Sequence, residues 1–315
     1  MTSATKIGER AKLREDSDVV LKTTGLTRRY GRITAVNGLD LEIQRGQIFG
    51  FLGPNGSGKT TTIGMILGLL RPTSGHVELF GTDTRRDLVG PLKRVGCVLE
   101  GASAYPHLSG RDNLRIWSLV AGGVSEARMA EVLSLVGLSE RAGHKARTYS
   151  LGMRQRLAIA AALLTDPDLV VMDEPTNGLD PAGMREIRQL IRDLGAMGKT
   201  IFVSSHMLGE VEQVCDHVAI LKAGQLLMQG DVTTLLGRGT SLELQVTDVE
   251  RALQVLPGLD FVTSVTRDGV RLVVETVDGR AADVSRELAS HGVYLSELRS
   301  RQGSLEDIFL EMTGD

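Results

Sequence analysis

The stretch GPNGSGKT at positions 53–60 constrains this chain more than any other part of it. It has the form G-x-x-x-x-G-K-[ST] and stands between a short apolar run, IFGFL, and a run of helical character, KTTTIGMILGLL. A strand, a glycine-rich turn and a helix in that order are the context this pattern requires. Gly53, Gly56 and Gly58 let the backbone turn tightly and bring its N–H groups onto phosphate oxygens. The helix N-terminus adds partial positive charge. Lys59 is placed to reach the β- and γ-phosphates, and the Thr60 hydroxyl is placed to hold Mg²⁺. The loop as a whole, with Pro54, Asn55, Ser57 and Thr61, is the expected nucleotide-binding segment. By itself it does not separate a kinase from a GTPase or a transport ATPase. The N-K-x-D element that reads guanine is absent from the sequence.

Strand-like and helical patterns alternate from about Val19 to Asp231, which argues for a parallel α/β sheet. VVLKTTGL and VNGLDLEI read as early strands, followed by HVELFG, RVGCVLE, DLVVMDE, KTIFVSSH and HVAILKAG. From about Ser109 to Leu164 the apolar residues recur every three or four positions, so a helical block is expected as an insertion. After Asp231 the order changes to β-α-β-β-α-β, the order of a ferredoxin-like unit. A last helix, SLEDIFLEMTG, opens on a possible cap at Ser304. The expected division is a disordered tail at 1–18, a nucleotide-binding domain at 19–235 with its helical subdomain at about 101–165, a linker at 235–240, and a C-terminal accessory domain at 241–315. No internal repeat is evident.

Two further segments carry chemistry. In LVVMDEP an apolar strand ends on Asp173, which puts a carboxylate at the sheet edge, where it can hold Mg²⁺. Glu174 follows, is expected to point the other way across the pleat, and can polarise an attacking water. His206 ends the apolar strand TIFVSSH at the edge where open α/β sheets bind ligands, within reach of a γ-phosphate.

Composition removes other classes. The chain has 315 residues, a formal charge of -3 and a pI near 6.1, which leaves no electrostatic footprint for nucleic acid. Cys97 and Cys215 sit in apolar stretches, read as small buried hydrophobes, and imply a reducing compartment. The longest strictly apolar run, LAIAAALL, has eight residues, whereas a spanning helix needs roughly 20. The N-terminal residues have no apolar core of a signal peptide. A cytoplasmic protein is expected, with any membrane role arising through a partner.

Taken in order and spacing, GPNGSGKT, YSLGM, VVMDEPTNGLDP and SSH resemble the nucleotide-binding subunit of ATP-binding cassette (ABC) transporters over roughly residues 19–235. That resemblance implies a P-loop ATPase core with ATP and Mg²⁺ as ligands. It implies a dimer, most simply of two identical chains, in which Ser150, Leu151, Gly152 and Met153 close on the ATP held by the other subunit. It also implies that Tyr30, expected just ahead of an early strand, stacks on adenine, and that Asp180 anchors a loop at the dimer contact. The partner implied is a separate transmembrane permease, which would hold the chain on the inner face of the cell membrane. Three positions depart from the family pattern. Glu100 stands where a Gln usually completes the Mg²⁺ shell, Leu151 replaces the first signature Gly, and Met153 replaces the terminal Gln. The segments VLEG, YPHLSGRDNL and YSLGMRQRLAIA further resemble the bacitracin- and daunorubicin-type exporters, which implies export of a drug, antibiotic or lipid-like substrate. YPHLSGRDNL would then lie near the permease-contacting surface. Two alternatives stay open: a soluble cassette ATPase acting on ribosomes or DNA, and a nucleotide-gated regulatory protein with little turnover. For the C-terminal unit, a packing or dimer-stabilising module stands beside a ligand-sensing one.

Overall fold

Apolar strand runs set the architecture, seen in a computed structural model that describes residues 18–99, 104–237, 240–276, 280–302 and 304–313. The expected tail at 1–18 lies outside the described residues except for Asp18, and so does Glu100. The chain divides into two units, the first ending at Gln229 and the second beginning at Gly230.

The first unit opens with β1 (Val19–Tyr30), β2 (Ile33–Gln44), β3 (Ile48–Leu52), α1 (Lys59–Ile66), β4 (Ser74–Leu79), β5 (Thr82–Asp83), α2 (Val89–Leu92) and β6 (Val95–Val98). It continues through α3 (Gly110–Val120), α4 (Glu126–Leu135), α5 (Leu151–Ala162), β7 (Leu169–Asp173), α6 (Pro181–Ala196), β8 (Thr200–Ser205), α7 (Leu208–Glu212), β9 (His217–Lys222) and β10 (Gln225–Asp231), within which the division falls. Six strands form one sheet in the order β10-β9-β3-β8-β7-β6. Within it β3, β6, β7, β8 and β9 pair in parallel. Every residue of β3, β7 and β8 is buried, as expected for strands covered on both faces. Phe51 and Phe202 meet across β3 and β8 with ring centroids 5.1 Å apart. Burying such a side chain contributes roughly 2 kcal/mol.

The parallel sheet expected from the buried strand runs is present, and the early strands lie outside it. β1 pairs antiparallel with β2 and with β4, in a separate sheet of order β2-β1-β4-β5. The reason is legible in the burial of β2, where Leu39, Leu41 and Ile43 are buried and Asp40 and Glu42 are exposed. Alternation of this kind belongs to a sheet packed on one face. Three corrections follow. α1 stops at Ile66, short of the apolar run, because the chain turns at Gly68 with φ 70°. β10 adds an edge strand that the alternation did not suggest. Cys215 is buried but Cys97 is exposed, since β6 lies at the sheet edge.

Side-chain caps start the helices where the sequence offers them. Ser109, Ser125, Ser150 and Asp180 each accept an N–H from the residue three positions on, at the mouths of α3, α4, α5 and α6. α3 to α5 make up the helical block between β6 and β7.

The second unit contains α8 (Val232–Gly237), β11 (Thr240–Val246), α9 (Val249–Val255), β12 (Val262–Asp268), β13 (Arg271–Thr276), α10 (Ala281–Ser290), β14 (Leu295–Gln302) and α11 (Leu305–Thr313). Its sheet runs β12-β13-β11-β14 with antiparallel pairing throughout. Leu242, Leu244, Leu272, Val274, Val284 and Leu288 form its core. The segment 235–240 read as a linker holds the end of α8, then 238–239 outside the described residues, then the first residue of β11. Ser304 caps α11 by accepting the Asp307 N–H at 3.0 Å, and its own N–H and hydroxyl donate to the Asp307 carboxylate.

Candidate nucleotide site

The glycines of the loop between β3 and α1 are there for space and backbone sign. Gly58 adopts φ 106°, and a Cβ on it would stand 2.5 Å from the Ala35 carbonyl oxygen. A Cβ on Gly53 would stand 2.4 Å from the Leu221 carbonyl oxygen. Other residues cannot hold this path. Gly58 is the N-cap of α1, and no side chain caps the helix. The first-turn N–H groups are therefore left for an outside acceptor, at the positive end of the helix. A cleft of about 450 Å³ opens there, lined by Ala35, Asn55, Gly56, Gly58, Lys59, Thr60, Thr61, Glu174, Asn177 and His206. That volume is within the usual range for a small-molecule site.

Charge converges on one side of the cleft. Lys59 is buried, with Nζ donating to the Gly53 carbonyl at 2.7 Å and standing 3.3 Å from Glu174 Oε1. The other Glu174 oxygen, Oε2, lies 2.8 Å from His206 Nδ1. Glu174 has φ 50°, a left-handed conformation, and lies one residue past the end of β7. The expected alternation across the pleat therefore fails at this residue, because the strand geometry has already ended. Its N–H donates to Ser204 Oγ at 3.0 Å. Asp173 is buried, and its Oδ1 accepts the Ser204 hydroxyl at 2.5 Å. Asp173 Oδ2 is buried with no hydrogen-bond partner among the described residues. A bare buried carboxylate oxygen is costly and suits a hard cation. His206 lies one residue beyond β8 rather than within it.

The remaining sequence-derived residues sit elsewhere. Ser150, Leu151, Gly152, Met153 and Asp180 line a second cleft of about 450 Å³, which shares no lining residue with the first. Ser150 is exposed at the mouth of α5, with Oγ accepting the Met153 N–H at 3.2 Å. Leu151 is exposed and faces Gly178. Tyr30 closes β1 just ahead of β2, and is exposed. The Arg28 guanidinium lies 4.5 Å from its ring centroid. Sequence reasoning did not single out Ser204 or Asn177. Asn177 stood in the NGLD motif, and Ser204 two residues ahead of His206 in the same strand pattern.

Comparison with known proteins agrees with this geometry. Residues 36–177 match the family described as ABC transporter. The bacitracin transport ATP-binding protein BcrA of Bacillus licheniformis is 39% identical over 299 residues, spanning 94% of this chain and 97% of that protein. The daunorubicin resistance ATP-binding protein DrrA3 of Streptomyces coeruleorubidus is 33% identical over 311 residues, 95% of this chain and 97% of that one. Among solved structures, the dimeric structure of an ATP-binding cassette in a post-hydrolysis state, bound to ADP and Pi, matches with a TM-score of 0.60. It is 29% identical and covers 67% of this chain and 98% of that chain.

Proposed function

Because this chain belongs to the ABC transporter family, as an ATP-binding subunit that hydrolyses ATP, we propose that it works as a dimer and powers export through a separate permease. Two copies would enclose two ATP molecules. The observation that carries this reading is the division of the site residues between two clefts. Lys59, Thr60, Glu174 and His206 belong to one, and Ser150 and Asp180 to the other. A Ser hydroxyl at an exposed helix N-terminus suits a phosphate, and a second copy would supply it. The dimeric cassette among the similar structures supports the same arrangement.

The proposed roles follow from position. The loop N–H groups and Lys59 bind the β- and γ-phosphates, and Tyr30 stacks on the adenine. Thr60 and Asp173 would hold Mg²⁺, to which the unpartnered Oδ2 of Asp173 is suited. An Mg²⁺ ion shared with phosphate and water needs only one or two protein carboxylates. When bound, Mg²⁺ neutralises charge on the phosphates. Glu174 orients and polarises the attacking water, and His206 holds Glu174 from its other oxygen. Ser150 of the second copy donates to the γ-phosphate as charge develops.

The permease is proposed as another chain because the relatives are named as ATP-binding proteins of transport and resistance systems; no helix among the described residues is long and apolar enough to cross a membrane. Export of a drug, antibiotic or lipid-like substrate rests on the relatives named for bacitracin transport and daunorubicin resistance. We assign residues 19–235 to the nucleotide-binding domain and 241–315 to an accessory domain. The test is co-purification. Tagged Glu174→Gln chain, extracted from membranes in mild detergent with ATP, is expected to bring down a stoichiometric protein with about six spans of roughly 20 apolar residues. Recovery of ribosomal or DNA-bound partners without any membrane protein would overturn the transport reading.

A further inference from the structure

We infer that Ser204 is the positioning residue for both carboxylates of the site, an inference that rests on the reading of Asp173 and Glu174 given above. Ser204 lies in β8, with no solvent exposure, and in register beside Asp173 of β7 on one side and Phe51 of β3 on the other. A hydroxyl in this setting is unfavourable unless its donor and acceptor are both used. Both are. Oγ donates to Asp173 Oδ1 at 2.5 Å and accepts the Glu174 N–H at 3.0 Å. The direction of the proton is unambiguous, because an ionised carboxylate only accepts and a backbone N–H only donates.

Two consequences follow from that single hydroxyl. First, it occupies Oδ1 and so orients the Asp173 carboxylate with Oδ2 as the free oxygen. Second, it holds the backbone of Glu174 in a left-handed conformation, φ 50°, that a residue with a Cβ rarely adopts. Such conformations persist where surrounding contacts fix them. From there the Glu174 side chain reaches Lys59 on one oxygen and His206 on the other. Ser204 has no solvent exposure and does not line the nucleotide cleft, whereas Glu174 does. It acts through Asp173 and Glu174, as partners of metal-holding carboxylates generally do.

The test is Ser204→Ala, read by equilibrium titration of a fluorescent ATP analogue and by steady-state turnover. With EDTA present, analogue affinity is expected to stay within twofold of wild type. The Mg²⁺ concentration that half-saturates the Mg²⁺-dependent gain in affinity should rise at least about fivefold. kcat should fall roughly 10- to 100-fold with little change in KM. A half-saturating Mg²⁺ and a kcat both within twofold of wild type would overturn the proposal. Should the alanine chain lack a cooperative melt, Ser204→Cys fills the site with a somewhat larger atom that is a weak donor and acceptor. Wild-type values in that variant overturn the proposal equally. Glu174→Gln is measured alongside. If it turns over like wild type, the assignment of the carboxylates is what fails. If it is inactive while Ser204→Ala is normal, only the positioning role fails.

Discussion

Replacing Glu174 by glutamine is expected to lower steady-state turnover at least about a hundredfold, the lower end of what general-base assistance contributes. ATP affinity should stay within about threefold. The substitution keeps the volume and the hydrogen-bonding reach toward His206 Nδ1, 2.8 Å away, but removes the charge proposed to polarise water. It also removes the negative partner of Lys59, 3.3 Å away. Lys59 is then free of competition for phosphate, so affinity has no reason to fall. The check is kcat from phosphate release together with Kd from equilibrium binding. Turnover within threefold of wild type would mean that some other group activates the water.

Lys59→Ala carries the second large effect, and it acts on two properties at once. The ammonium is buried and bonded to the Gly53 carbonyl, so it is already aimed at the loop that would cradle phosphate. A charge-assisted hydrogen bond of this kind is worth about 1.5–3 kcal/mol. Its loss should weaken ATP binding roughly 10- to 100-fold. The second effect is on stability. The Glu174 side chain is nearly as buried as that of Lys59, and removing one member of such a pair strands the other. Full burial would cost about 3–5 kcal/mol, but His206 remains on Oε2, so a loss of about 2 kcal/mol is expected. For a unit of this size that lowers Tm by roughly 4–8 °C. The double variant Lys59→Ala with Glu174→Gln should recover most of that drop while binding ATP no better. Equal melting of the two variants would show that the ion pair contributes nothing to stability.

The parts of the site that the sequence exposes are those set by local geometry. GPNGSGKT dictates its own loop, because Gly53 and Gly58 have backbone next to the position a side chain would take. LVVMD is short and rich in β-branched residues, which marks it as a strand covered on both faces rather than a buried helix, so Asp173 falls at the sheet edge. The separate antiparallel sheet was also written in the chain. Alternation at Leu39, Asp40, Leu41, Glu42 and Ile43 differs from the solid apolar runs of β3, β7 and β8. What stayed hidden depends on register and backbone sign. Ser204 reads as one more polar residue near a strand end until β8 is set beside β7 and Asp173 meets it. Glu174 reads as the next residue of a pleat until its left-handed φ turns it toward Lys59 and His206. Neither follows from spacing, because each is decided by elements distant in the chain.

The central claim is that each ATP is hydrolysed between two copies of the chain. Its most direct measurement mixes Lys59→Ala subunits with Ser150→Ala subunits and records ATP hydrolysis against the ratio of the two. Each variant alone forms only defective sites. A mixed dimer pairs the intact phosphate loop of the Ser150→Ala copy with the intact Ser150 of the Lys59→Ala copy. Activity is therefore expected to peak near equal amounts, well above either variant alone. A flat line across all ratios would contradict the account, and would show that Ser150 does not complete the Lys59 site of the other copy.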